Sequence, residues 1–224
     1  MNRQVRTALA TTVAGAVVFI GGATPASAAW KLQAPGANSI TEIGPDQLAD
    51  YESRWFQRTA KGIVLTSPTE GATTPNSKNN RTELREMASD GAEAAWDPAK
   101  GTHKFAVRLA VTRLPKTEPV VVVAQIHDGA DDRVTMRLEG QHLFVAGDES
   151  NPLASLTGSY RLGTPFTVAF AVRGGHVDVV YNGRCVDAGS IPAGATYFFK
   201  TGRTSSPTSR GTASRRSSSS RGPG

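Results

Sequence analysis

Two short stretches of the chain set charged and acid–base side chains at alternate positions. Arg81-Thr-Glu83-Leu-Arg85 spaces an arginine, a carboxylate and an arginine two residues apart. In a β-strand successive side chains point to opposite faces, so these three share one face. Two guanidinium groups steadied by a carboxylate between them make a docking strip for anionic groups, carboxylates above all. The same spacing also fits a solvated, self-paired outer face. Val120-Val-Val-Val-Ala-Gln125-Ile-His127 opens as a continuous apolar run, the pattern of a strand covered on both sides. It ends with an amide and an imidazole on one face and Ile126 turned toward the core. Such a pair binds a carboxylate and moves a proton near neutral pH, although a lone Gln-x-His also fits a structural histidine.

The remaining groupings are poorer. His103, His142 and His176 lack the spacing of a metal-ligand set, and no zinc signature is present. Asp128, Asp131 and Asp132 fall in a turn after the Gln-x-His strand and are expected as a solvated loop, with Ca²⁺ binding as the alternative. There is no phosphate-binding glycine loop and no G-x-S-x-G elbow.

The elements that must position these side chains are strands. Strand signals bounded by Gly, Pro, Asp or Asn run over 62–66, 81–87, 103–113, 120–127, 133–139, 143–146, 166–173 and 176–181. A short helical turn is expected within 46–51, and long helical periodicity is absent. Many short strands with turn punctuation predict an all-β sandwich or jelly roll and exclude α/β layering.

The chain has 224 residues and a formal net charge of +6, but its ends carry that charge. Residues 1–28 hold Arg3 and Arg6 without an acid, and residues 201–224 hold five arginines without an acid, leaving the body slightly acidic. Global basicity is therefore no argument for nucleic-acid binding. The basic start, the apolar small-residue run over 8–23 and Ala26-Ser27-Ala28 read as a secretory leader cut before Ala29, so the protein is expected to be exported, from a bacterial cell, without a membrane anchor. Cys185 is the one cysteine, which excludes an internal disulfide; it is read either as a small buried apolar residue or as a thiol whose partner has been lost. The last residues, rich in Ser and Arg and free of large apolar side chains, are expected to be disordered. The domains are thus a signal peptide over 1–28, a folded body over 29–202 and a tail over 203–224.

Arg81-Thr-Glu-Leu-Arg85, Gln125-Ile-His127 and Phe198-Phe-Lys200-Thr-Gly202, in this order, resemble the three signature segments of the family-7 polysaccharide lyases, the alginate lyases. Asn76-Ser-Lys, Gly101-Thr-His103, Tyr160-Arg-Leu-Gly163 and the Asn-Gly turn at 182–183 support the resemblance, which spans roughly residues 38–202. It implies a β-jelly roll, a concanavalin-like sandwich with a concave substrate groove, and β-elimination on a polyuronate without metal or organic cofactor. On this resemblance Arg81 and Gln125 neutralise the substrate carboxylate and His127 serves as base or assists one. Glu83 orients the arginines, while Arg85 and Lys200 hold neighbouring uronates. The partner implied is an acidic polysaccharide, alginate, acted on by a monomer. Ile126 within Gln-x-His leans toward guluronate-containing blocks.

The chain departs from the family at its end. The third segment of the family continues Gly-x-Tyr-x-Gln, and that tyrosine is catalytic; here the position is Thr204. The nearest alternative proton donor is Tyr197, beside Phe198. The family's final apolar strand also has no counterpart, so the C-terminal strand is missing. A reading-frame change near Gly202 accounts for all of this together. The rival to an active lyase is a noncatalytic polyuronate-binding jelly roll with the same groove and cations.

Overall fold

A computed structural model describes residues 13–20, 29–68, 73, 79–147 and 151–205, with the backbone alone for 13–20 and Ser205. The fold is almost all strand. In chain order the elements are β1 (Val13–Ile20), β2 (Ala29–Pro35), β3 (Ile40–Ile43), α1 (Pro45–Leu48), β4 (Phe56–Thr59), β5 (Gly62–Pro68), β6 (Arg81–Met87) and β7 (Thr102–Arg113). They continue with β8 (Val120–Asp128), β9 (Asp132–Glu139), β10 (His142–Ala146), β11 (Pro152–Thr157), β12 (Phe166–Arg173), β13 (His176–Tyr181), β14 (Arg184–Ser190) and β15 (Tyr197–Ser205).

These strands form two antiparallel sheets. One has eight strands in the order β11-β10-β9-β8-β15-β6-β2-β3, the other seven in the order β14-β13-β12-β7-β1-β5-β4. The sheets are not closed and pack face to face as a β-sandwich. Alternate side chains from both sheets meet in one core. Phe105 packs there against Trp30, Phe170 and Phe199, with ring centroids 5.6 Å apart for Trp30–Phe105 and for Phe105–Phe199. Such aromatic pairs add about 0.5–1.5 kcal/mol each beyond their buried area.

The centre of the eight-stranded sheet positions the functional side chains. β15 lies between β6 and β8, placing Lys200 opposite both Arg85 and Gln125, Phe198 opposite His127, and Thr204 opposite Arg81. Buried Thr82 fastens β6 to the other sheet by donating to Thr66 O at 2.6 Å. The Glu86 carboxylate accepts from Trp96 Nε1 at 3.0 Å and from the Phe199 amide at 2.9 Å, tying β15 to β6 from the core side.

Three expectations change at the level of the chain. β15 runs through Ser205, so Arg203–Ser205 belong to the sheet and not to the tail; residues 206–224 lie outside the described residues. Residues 13–20 of the expected leader form β1, inside the seven-stranded sheet, whereas 1–12 and 21–28 lie outside the described residues. Cys185 is exposed on β14, with its Sγ 3.7 Å from Asp178 Oδ1, and so is not a small buried apolar residue.

Candidate active site

On the face of the eight-stranded sheet turned away from the core, β6 presents Arg81, Glu83 and Arg85, β15 presents Phe198, Lys200 and Thr204, and β8 presents Gln125 and His127. All six residues expected to act are therefore brought together on three adjacent strands. Strand alternation explains the selection: Leu84, Ile126 and Phe199, their chain neighbours, are in the core.

Glu83 is the hub. Its side chain is 1% exposed, and its Oε2 stands 3.7 Å from Arg81 Nη1 and 3.8 Å from Lys200 Nζ. Its Oε1 accepts from Gln125 Nε2 and from Thr204 Oγ1. Burial alone would raise its pKa, but Lys200, Arg81 and the Thr204 hydroxyl outweigh burial and hold the carboxyl below its ordinary value. The carboxylate thus stays charged, orients the amide of Gln125 and offsets part of the positive charge.

Gln125 and Glu83 are on strands that flank β15, and they meet across Gly202. Gly202 has φ +149°, and a Cβ there would stand 2.4 Å from Thr82 O and 2.7 Å from Glu83 Cα. Only glycine lets β15 lie this close to β6.

His127 is prepared as a base. Its Nδ1 contacts the Asp128 carbonyl, which only accepts, so Nδ1 carries the proton and Nε2 keeps its lone pair. Burial, then the charge of Lys200, pull its pKa down from 6.5 to about 4, so the ring is neutral at physiological pH. Phe198 stacks on the imidazole with centroids 5.2 Å apart. The other face of the site is cationic: Arg85 lies 3.7 Å over the Phe198 ring and pairs with Glu93 at 2.7 Å, and burial lowers the pKa of Lys200.

Such an arrangement can neutralise a carboxylate with Arg81 and Gln125, hold a neighbouring anionic group with Lys200, and take up a proton beside them with His127. That is the chemistry of elimination next to a uronate carboxylate. A family model described as alginate lyase matches residues 26–218. The chain belongs to the alginate lyase family. Its fold supports polysaccharide lyase activity on alginate. Among solved structures it is similar to alginate lyase AlgAT5 from polysaccharide lyase family 7, at 39% identity over 80% of this chain and 83% of that one, with a TM-score of 0.74. It is similar to the alginate lyase from Corynebacterium sp. at 34% identity over 80% and 82% of the two chains, TM-score 0.72. A third relative, family-7 alginate lyase A1-II′ as a histidine-to-asparagine, tyrosine-to-phenylalanine variant in complex with substrate (GGMG), is 25% identical over 83% and 90% of the two chains, TM-score 0.66. A search of curated proteins returned no match.

Thr204, at the position where the resemblance leads to the expectation of a tyrosine, donates its hydroxyl to Glu83. Tyr197 does not replace it: the side chain is fully enclosed in the core, and its hydroxyl donates to Pro192 O at 2.8 Å. All four tyrosines of the chain pack in or against the core, so none stands on the site face.

Sequence reasoning missed Phe198 as the ring joining Arg85 to His127, Glu93 as the partner of Arg85, and Arg137 on neighbouring β9, and it read Asp132 as loop where the structure makes it the first residue of β9. Arg137 is buried on the non-core side of its strand, between core residues Met136 and Leu138. Asp132 pairs in register with His127, and burial together with Asp131 pushes its carboxyl up to about 6. The alternation Arg133-Val-Thr-Met-Arg137 could have placed Arg137 on that face. Asp128 is no free cation ligand: its carboxylate caps the turn amides of Ala130 and Asp131 and binds Arg133 Nε at 2.7 Å.

Proposed function

We propose that the protein is exported and cleaves alginate, with guluronate-containing blocks favoured, by β-elimination to 4,5-unsaturated oligouronates, acting as a monomer. The observation that carries this reading is the neutral His127, its Nε2 unprotonated, on the face that also bears Arg81, Gln125 and Lys200 around Glu83. Arg81 and Gln125 bind the carboxylate at the reacting sugar and take the negative charge that develops as C5 loses its proton. His127 Nε2 receives that proton, the electron pair becomes the C4–C5 double bond, and the C4–O bond breaks. Arg85 and Lys200 hold uronates on either side.

The departing oxygen needs a proton, and with threonine at 204 it takes one from solvent, which makes this the slow step. That position is also the observation favouring the second reading, a noncatalytic polyuronate-binding jelly roll. The test is the ultraviolet absorbance of the unsaturated product when purified protein is given alginate, beside His127→Ala and Thr204→Tyr. A slow rise that His127→Ala abolishes and Thr204→Tyr accelerates is expected. No rise in a folded protein that still binds alginate would replace the lyase with the binding module.

A further inference from the structure

β1 occupies the middle of the seven-stranded sheet. Its residues pair with β5 from Val13 opposite Pro68 to Ile20 opposite Gly62, and with β7 from Ala16 opposite Arg113 to Phe19 opposite Leu109. Among the described residues β5 has β4 as its only other neighbour in the sheet, and β7 has β12. Removing β1 therefore leaves a four-stranded piece, an isolated β4–β5 ribbon, and two facing rows of unpaired amides and carbonyls. Leu65 of β5 and Leu109 and Val111 of β7, all fully buried, would lie beside the gap.

We propose that the interval between β5 and β7 is a strand-accepting slot whose occupant is the chain's own Val13–Ile20, so that cutting before Ala29 unfastens this sheet. The occupant fits by its chemistry. Val-Ala-Gly-Ala-Val-Val-Phe-Ile carries no polar side chain and is long enough to match all seven residues of β5. The other end of the chain offers no equal: residues 206–224 contain four arginines and no apolar side chain larger than Ala213 and the prolines. The apolar N-terminus thus serves two incompatible ends in any one molecule, an export leader that is removed and a strand that closes the sheet. The proposal concerns folding and is independent of alginate cleavage.

The experiment compares the full chain, residues 29–224, and full-chain Val17→Pro by hydrogen exchange and thermal melting. Val17 faces Leu65 on one side and Val111 on the other, and proline there removes a ladder amide while keeping the chain's length. In 29–224 and in Val17→Pro, protection of β5 and β7 amides should fall by roughly two orders of magnitude while β6, β8 and β15 change less. A lysine-flanked peptide of residues 13–20 should restore it in 29–224 saturably, and the same peptide with proline at Val17 should not. Full protection of β5 and β7 in 29–224 without peptide, as a monomer or a dimer, overturns the proposal. So does unchanged protection in Val17→Pro, even if 29–224 fails to fold.

Discussion

Arg203→Leu should stabilise the protein. Arg203 follows Phe199 and Thr201 along the core-facing side of β15; it is 0% exposed, and its Nε, Nη1 and Nη2 all lack a hydrogen-bond partner among the described residues. Burial pulls the guanidinium down from its ordinary range to about 10. At about 1.4 kcal/mol per pH unit, that gap corresponds to roughly 3 kcal/mol of destabilisation. The unfolded chain holds this proton more tightly than the folded one, so the penalty is present in full below about pH 10 and is relieved only as pH climbs from there toward the ordinary arginine range. Leucine removes it and keeps an apolar side chain in the same place. For a chain of this size the gain amounts to a rise in Tm of roughly 6–12 °C. Thermal and urea unfolding at neutral pH, followed by circular dichroism, measure it, with Arg203→Lys as the control that retains a buried cation and gains less. An unchanged or lower Tm in Arg203→Leu would show that the guanidinium has a partner, and the argument from its enclosure would fail.

Three further outcomes follow from the same geometry. His127 titrates at about 4 in the folded chain against an ordinary 6.5, so the unfolded state takes the proton first and stability falls as pH drops across that interval, by at most roughly 3 kcal/mol. Denaturant unfolding should show this loss in the parent and not in His127→Gln, and the acid limb of kcat/KM should lie near 4. Gly202→Ala forces a Cβ against Thr82 O and Glu83 Cα at a positive φ, and should lower stability by about 2–4 kcal/mol in the same unfolding assay. Glu83→Gln releases Arg81 and Lys200 from their shared counter-charge and unsettles Gln125; steady-state kinetics should show kcat falling while KM for the polyanion stays level or drops.

The fold class and the placing of the candidate residues on one sheet face were legible because their signals are local. Arg81–Met87, Phe166–Arg173 and His176–Tyr181 form strands at the bounds that alternation predicts, and Gln125 and His127 share a face for the same reason. β2 was hidden because its alternation begins at the expected cleavage point, and β11 and β14 because they are sheet-edge strands whose exposed residues give no apolar period. What sequence could not supply is the order of strands. That β15 lies between β6 and β8 joins the three motifs into one site, and it also sends Tyr197 into the core. Arg137 escaped notice because an arginine alternating with Met136 and Leu138 reads as a solvent-facing side chain, whereas the packed sheet face encloses it.

Arg203 and Thr204 stand on opposite faces of one strand, and each is at odds with its place in a different way. Toward the core, a guanidinium without a partner among the described residues costs stability; toward the site, on the mechanism proposed above, a short hydroxyl bound to Glu83 leaves the departing oxygen without a donor. One residue earlier the fit is close, since the backbone of β6 admits nothing but Gly202. The discontinuity therefore lies between residues 202 and 203, where a reading-frame change is expected from the sequence. An apolar residue at 203, a tyrosine at 204 and an apolar strand after them would satisfy the core, the site and the slot between β5 and β7 at once. In such a chain β1 becomes dispensable. Removing residues 1–28 should then cost no protection in β5 or β7, whereas in the present chain it should cost nearly all of it.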